Sequence, residues 1–284
     1  MLEGVQQTLK YVREFAGSRI VVKLGGSVLQ DDQLLEDLCQ DLSLIRKVGV
    51  ELVIVHGGGP AINEELRRRE ITWKFVEGLR VTSPEMMKVI EMVLCGTVNQ
   101  RITRALNAAG LRAVGLSGND ASMILCKAAD ARLGQVGQIE RVNTQLIDLI
   151  LAMKDDLGHR SIPVIAPIGI GREGEAYNVN ADWVASRVAS ALGSSKMIFL
   201  TDQDGILDSN GKLMNELDAG DLQQLIEEGT VKDGMLAKVN TILHALQNQV
   251  TTVHVLNAKR PHSLLEELFT DKGVGTVCRL RSRG

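Results

Sequence analysis

Twice near the start of the chain an aliphatic run closes in glycines and gives way to helical periodicity, and this alternation narrows the fold more than any other feature. Ile20-Val21-Val22-Lys23-Leu24 runs into Gly25-Gly26 ahead of a helix expected from about Asp32 to Lys47. Leu52-Val53-Ile54-Val55-His56 runs into Gly57-Gly58-Gly59-Pro60 ahead of a polar helical stretch from Ala61 to Arg69. Strands that alternate with helices predict an α/β protein, a three-layer αβα sandwich with a mainly parallel open sheet. Ligands of such sheets sit beyond the carboxyl ends of the strands, where both glycine loops fall.

The bulk of the sequence allows this. With 284 residues, 44% of them hydrophobic and 3% aromatic, the chain can build two lobes around an aliphatic core. The net charge of -3 comes from 32 Lys and Arg against 35 Asp and Glu, which gives no basic field for nucleic acid or an anionic membrane. A small-molecule partner is expected instead. Cys39, Cys95, Cys126 and Cys278 form no C-x-x-C pair, and no histidine stands at zinc-ligand spacing, so neither a disulfide framework nor a metal site is expected. The start, Met-Leu-Glu-Gly, has no basic stretch leading into an apolar one, and no window is apolar over the roughly 20 residues of a membrane span. A soluble cytoplasmic protein is the expectation.

In chain order, Val5, Leu9, Val12 and Ala16 share one helical face that Gly17 could close, packing either on the chain's own core or against another subunit. Ser83-Pro84-Glu85 has the cap, first-turn proline and acidic residue of a helix start, and that helix should run to about Asn107. Arg112 to Leu116 reads as a strand, and the Gly-broken stretch from Ser117 to Val142 as small antiparallel hairpins. Ile162 to Ile168 is a strand leading into Gly169-Ile170-Gly171-Arg172-Glu173-Gly174; the extended residues beyond it suit a hairpin turn better than the helix of a dinucleotide site. A helix opens at Asn180 or Asp182 and closes at Gly193, and Met197 to Thr201 is another strand. Gly205 to Lys212 misses the Walker A spacing, with Leu213 where a hydroxyl should meet magnesium. Asp218 can cap a helix through Glu228, and Gly234 to Lys238 opens a further one. Thr252 to Leu256, Pro261 to Phe269 and Val274 to Arg279 read as strand, helix and strand. The lobes are expected at 1–176 and 177–284, divided where the hairpin gives way to renewed alternation.

Phosphoryl transfer depends mainly on positioning and on positive charge at the oxygens of the moving group. Glycine lets backbone N–H groups approach an anion closely. Lys23 at a strand end and Lys238 in the first turns of a helix could flank one phosphoryl group, and Asp182 at a helix N-terminus could hold both ammonium groups. Taken singly, a surface lysine or a capping aspartate is the commoner outcome for each. The set is what points to a kinase.

Six segments extend the case: Val22-Lys23-Leu24-Gly25-Gly26, Val55-His56-Gly57-Gly58-Gly59-Pro60, Gly78-Leu79-Arg80-Val81-Thr82, Asn178-Val179-Asn180-Ala181-Asp182, Leu200-Thr201-Asp202 with Gly205, and Asp233-Gly234-Met235-Leu236-Ala237-Lys238. In this order and spacing the chain resembles the N-acetylglutamate kinases of the amino acid kinase family over nearly its whole length. The resemblance implies phosphoryl transfer from ATP, with Mg2+, to the side-chain carboxylate of N-acetyl-L-glutamate, the second step of arginine biosynthesis. It implies that the first lobe holds the amino acid and the second the nucleotide. Lys23 and Lys238 match the lysines that stabilise the transition state, and Asp182 the carboxylate that organises them. Gly25 and Gly26 match phosphate-contacting glycines, Gly58, Gly59, Arg80 and Asn178 the substrate-binding positions, and Thr201, Asp202, Gly205 and Met235 the nucleotide side.

Family members inhibited by arginine are hexamers with interlaced N-terminal helices, and Leu9 to Phe15 resembles that helix. Tyr11, His254, Glu267 and Gly273 resemble positions around the arginine site, so an arginine-inhibited hexamer is implied. Asn257-Ala258-Lys259 departs from the Asp-Gly-Arg run often found there. Two rivals stay open: a kinase for another acid, such as an aminoadipate derivative, and a non-catalytic arginine sensor, against which the joint presence of Lys23, Asp182 and Lys238 argues. Docking of a PII-type regulator is left undecided by the sequence.

Overall fold

The computed structural model describes residues 10–26, 28–270 and 273–281. Its main sheet has eight strands: β1 (Arg19–Leu24), β2 (Glu51–His56), β3 (Ala113–Ser117), β4 (Ile162–Ala166), β5 (Lys196–Thr201), β6 (Glu216–Asp218), β7 (Thr252–Asn257) and β8 (Thr276–Arg279). Their spatial order is β6-β8-β7-β5-β1-β2-β4-β3, and every neighbouring pair is parallel except β7 with β8. The chain is thus the expected α/β sandwich with a mainly parallel sheet. β1 lies inside it between β5 and β2, with Lys23 in register with Phe199 on one side and Val55 on the other.

Side chains alternate faces along a strand, and this assigns each position to a layer. Ile20, Val22 and Leu24 join Leu52, Ile54 and Ile198 in a core beneath helices α1 (Asp32–Lys47) and α2 (Gly59–Arg68). Val21, Val53, Val55, Met197 and Phe199 enter a second core beneath α3 (Ala181–Ala191) and α4 (Asp233–Gln247). Burial on both faces is why these strands read as continuous aliphatic runs. Lys23, two residues after Val21, falls on the face that carries α3 and α4.

Several elements differ from the sequence expectation. The strand expected to continue to Ile168 ends at Ala166, and the chain bends at Pro167 into a different sheet. Beyond it Ile168–Ile170 pairs antiparallel with Ala176–Asn178 in a separate four-stranded sheet that also contains Ile124–Ala128 and Gly137–Val142. The G-x-G-x-x-G thus spans a hairpin, as expected, with Gly174 at φ +87° in the turn. The helix opened by Ser83, whose Oγ accepts from the Met86 N–H at 3.2 Å, is not uniform. Between Pro84–Glu91 and Asn99–Ala108 the turns widen to a π-helix over Met92–Val98. The helix expected from Pro261 begins at Ser263, because His262 adopts a left-handed conformation at φ +56°. Helix Gln145–Ala152, strand β6 and the hairpin of Phe75–Val76 with Leu79–Arg80 were not expected.

At the N-terminal side residues 10–15 are helical and Gly17 follows at φ +78°; Val5 and Leu9 of the predicted stripe lie outside the described residues. Among the described residues no helix is long and apolar enough to cross a membrane.

Candidate active site

The site is built where β1, β2 and β5 end. The Gly25 N–H donates to the Leu200 carbonyl at 2.9 Å, and the Gly57 N–H to the Leu24 carbonyl at 2.9 Å, so both glycine loops leave the sheet from adjacent strands. They also touch each other. A Cβ on Gly26 would lie 2.7 Å from Pro60 Cδ, and one on Gly25 2.7 Å from the Leu200 carbonyl oxygen. Glycine at these two positions is required by close packing of backbone on backbone and backbone on ring. Gly58 caps α2 and Pro60 occupies its first turn, so the amino end of that helix faces the same rim.

Opposite the loops, α3 starts at Asn180, whose side-chain oxygen accepts from the N–H groups of Asp182 (2.9 Å) and Trp183 (3.2 Å). The cap fixes Asp182 in the first turn, where the helix dipole favours a negative charge. Its two oxygens serve two lysines from distant parts of the chain. Lys23 Nζ lies 2.8 Å from Oδ1 as an ion pair, and Lys238 Nζ donates a hydrogen bond to Oδ2 at 2.6 Å. Lys238 also sits over the ring of Phe199, 4.5 Å from its centroid. Burial raises the Asp182 carboxyl, but the two ammonium groups outweigh it and hold the group well below the usual carboxylate range. Burial pushes the Lys238 ammonium down; Asp182 opposes the shift and Lys23 adds to it. Two cations with one anion between them leave net positive charge beside the glycine loops.

A cavity of about 180 Å³ opens next to them, lined by Gly58, Gly59, Arg80, Asn178 and Asn180 among others. Arg80 is 7% exposed and has no carboxylate partner among the described residues. One guanidinium nitrogen donates to Asn63 Oδ1, while Nη1 is buried without a hydrogen-bond partner. The rings of Trp73 and Phe75 hold the group flat, with centroids 5.7 and 4.7 Å from Cζ. A buried, unpaired guanidinium nitrogen at a cavity suits a carboxylate that arrives from outside. Asn178 donates to Thr82 Oγ1 at 3.0 Å, and Thr82 Oγ1 donates to the Arg80 carbonyl at 2.8 Å, which ties the two sides of the cavity together. A larger cavity of about 430 Å³, with Trp183, Arg187 and His244, adjoins it through Val179 and Asn180 but contains neither glycine loop.

The remaining predicted positions divide into two groups. Thr201 ends β5 beside Gly25, its hydroxyl 3.2 Å from Asp202 Oδ1, and Asp202 acts on the charge of Lys238. Gly205 has φ +151°, and a Cβ there would meet Leu213 and Thr276 at 2.5 Å. Met235 is half-buried one turn before Lys238 on α4. Tyr11, His254, Glu267 and Gly273 do not line this cavity; His254 lies in the middle of β7, and Lys196 at the start of β5 acts on the charges of His254 and Glu267. His254 Nδ1 lies 2.7 Å from Glu267 Oε1, Glu267 Oε2 accepts from the Val274 N–H at 2.9 Å, and Gly273 is packed against the same carboxylate. Tyr11 stacks on Phe15 at 6.0 Å, and Phe15 meets Phe269 edge-on at 6.0 Å. Asn63, Trp73 and Phe75 were not singled out from sequence; a tryptophan and a phenylalanine shortly before the turn that leads to Arg80, in a chain with only 3% aromatic residues, were the available signal.

Residues 18–257 match the model of the amino acid kinase family. The chain is 44% identical to an acetylglutamate kinase of Campylobacter curvus, with 95% of each covered, and 42% identical to one of Aquifex aeolicus, with 97% and 96% covered. Among solved structures it resembles N-acetylglutamate synthase from Neisseria gonorrhoeae complexed with coenzyme A and N-acetyl-glutamate, at TM-score 0.86 and 26% identity; 99% of this chain is covered, but only 64% of that longer one. It shares its fold with carbamate kinase from Giardia lamblia at TM-score 0.69 and 16% identity, with 93% of this chain and 99% of that one covered.

Proposed function

The chain belongs to the amino acid kinase family, and on that premise we propose that it transfers the γ-phosphoryl group of ATP to the side-chain carboxylate of N-acetyl-L-glutamate. The product is N-acetyl-L-glutamyl 5-phosphate, at the second step of arginine biosynthesis. The observation that carries this reading is the single carboxylate of Asp182 held between Lys23 and Lys238, 2.8 and 2.6 Å away, beside a cavity with an unpaired Arg80 nitrogen.

The chemistry follows from charge. An acceptor carboxylate with an ordinary pKa near ~4.3 is already ionised at neutral pH, so no general base is required. One of its oxygens attacks the γ-phosphorus, the bond to the β–γ bridging oxygen breaks, and ADP carries away the electron pair. Negative charge on the moving group is met by Lys23 and Lys238 and by N–H groups of the glycine loops, while Asp182 keeps the two lysines aligned without accepting a proton. Arg80, with Asn178 and the Gly58–Gly59 turn, takes the substrate's other carboxylate; a planar guanidinium does this better than a lysine. Thr201, Asp202, Gly205 and Met235 border the nucleotide. In this division residues 1–176 serve mainly the amino acid and 177–284 the nucleotide. Among the described residues no three His, Cys, Asp or Glu side chains converge as a metal cage, and ATP is taken as its magnesium chelate, the ion held chiefly by the phosphates.

We assign feedback by arginine to Tyr11, His254, Glu267 and Gly273, which lie outside the cavity beside the glycine loops, and a hexameric, cytoplasmic enzyme to the chain. The buried His254–Glu267 pair and the aromatic stack that joins residues 10–15 to Phe269 support it. The test is ADP release with N-acetylglutamate, glutamate, aspartate and aminoadipate, any acyl phosphate being trapped by hydroxylamine, with and without arginine. Turnover confined to N-acetylglutamate and suppressed by arginine is expected. Turnover on a different acid would overturn the substrate, and turnover on none would overturn the reaction.

A further inference from the structure

His56 stands inside the second glycine motif but none of the roles above uses it. It ends β2 opposite Leu24, and its ring is completely buried. Burial pushes the imidazole down to about 4, partly opposed by its bond to Gly57 and aided by the nearby Lys23 charge, so the ring is neutral at physiological pH. A neutral ring has one N–H and one bare nitrogen, and the partners decide which is which. Nδ1 lies 2.8 Å from the carbonyl oxygen of Gly57, which can only accept, so Nδ1 carries the hydrogen. Nε2 is then the acceptor, and it receives the side-chain amide of Asn99 at 3.1 Å.

Asn99 is 2% exposed, and the same amide nitrogen donates to the Val164 carbonyl on β4 at 2.9 Å. It is the first residue after the π-helical segment Met92–Val98. A π-turn takes one residue more than an α-turn, and each residue of an α-helix turns the chain by about 100°, so the widened segment decides which side chain faces the sheet. The same segment lays Leu94 and Val98 against Gly58, where a Cβ would lie 2.5 Å from Leu94 Cδ2 and 3.5 Å from Val98 Cγ2. Gly57 is thus held on both sides, its N–H by the Leu24 carbonyl at 2.9 Å and its carbonyl, which shares a peptide group with the Gly58 N–H, by His56. The next N–H groups, those of Gly58 and Gly59, belong to the amino end of α2 and have no acceptor within that helix.

We propose that His56, locked by Asn99 in its Nδ1–H tautomer, is a positioning residue that sets the Gly57–Gly58 peptide so that the Gly58 and Gly59 N–H groups face the reacting anion. The inference rests on the kinase reading above. Its test compares His56→Leu, which removes the donor, with His56→Asn, whose amide nitrogen can replace Nδ1–H. In the purified enzyme, kcat for ADP release with N-acetylglutamate should fall roughly tenfold to a hundredfold in His56→Leu, the scale for partners that act through another group, with KM for ATP nearly unchanged. His56→Asn should recover most of that loss. Nitrogen-15 spectra of the wild-type imidazole should show the neutral Nδ1–H form from pH 5.5 to 8. An imidazolium or an Nε2–H tautomer in that range, or a His56→Leu enzyme with undiminished kcat, overturns the proposal and leaves the kinase reading intact. A wild-type enzyme without turnover on any acid overturns both.

Discussion

Lys238 donates to one oxygen of Asp182 at 2.6 Å while Lys23 sits 2.8 Å from the other. The two lysines therefore share one counter-charge, and if they serve the proposed transfer, removal of either should take away a preorganised cation worth roughly 2.7–4 kcal/mol of transition-state stabilisation. Lys23→Ala and Lys238→Ala are each expected to lower kcat by about two to three decades, read by rapid quench at saturating substrates. A loss below tenfold would remove that lysine from the chemistry.

The pH profile should have an alkaline limb from Lys238. Its ammonium is lowered from 10.5, so it loses its proton before an ordinary lysine would, and kcat should fall as pH rises through that point. Lys238→Arg, which stays protonated, should flatten the limb whatever its rate. The Asp182 carboxyl is depressed, so the stability it contributes is complete above 3.8 and is lost only as pH falls towards its lower folded value. Thermal melts should show no loss of this contribution between pH 5 and 8.

Arg80→Ala should act on binding. A hydrogen bond to a charged group is worth about 1.5–3 kcal/mol, which corresponds to a rise of about ten- to a hundredfold in KM for the amino acid, with KM for ATP nearly constant. Arg80→Lys should recover little, because a single ammonium cannot make the paired contact. An unchanged KM for the amino acid would displace the substrate from this cavity.

The glycines differ in what a methyl group would meet. At Gly25 it would lie 2.7 Å from the Leu200 carbonyl oxygen, a backbone atom tied into the β1–β5 junction, whereas at Gly59 nothing lies within 4 Å. Gly25→Ala should cost about 1–3 kcal/mol, and Gly59→Ala should leave stability within about 1 kcal/mol, both by urea titration. Equal losses would contradict the packing.

Removal of residues 1–17 deletes Tyr11 and Phe15, and with them the ring contact to Phe269. Sedimentation should then show smaller oligomers, and arginine should inhibit less. An unchanged profile with full inhibition would separate this helix from both assembly and feedback.

Much of the fold was legible because its strands are buried on both faces and stand out as aliphatic runs ending in glycine. The association of Lys23, Asp182 and Lys238 was legible only as a set, since no local pattern links residues so far apart. Other features depended on tertiary context. Pro167 marks the point where the chain leaves one sheet for another, but from sequence Ile162 to Ile168 is one uninterrupted apolar run. The π-turns of Met92–Val98 lie within an ordinary helical pattern, and the contacts that accompany them, Leu94 on Gly58 and Asn99 on His56, join residues far apart in sequence. β6 is three residues long and helix Gln145–Ala152 eight, too short for periodicity to show.

The central position of β1 has a consequence for the order of assembly. Its neighbour β5 begins at Lys196, so during synthesis one edge of the first strand has no partner until much of the chain has been made. Closing a loop that long is slow, and an unpaired aliphatic edge invites association between chains in the meantime. A chain that ends before Lys196 would retain Ile20, Val21 and Val22 with one ladder unmade, and aggregation rather than partial activity is the expected fate of such fragments.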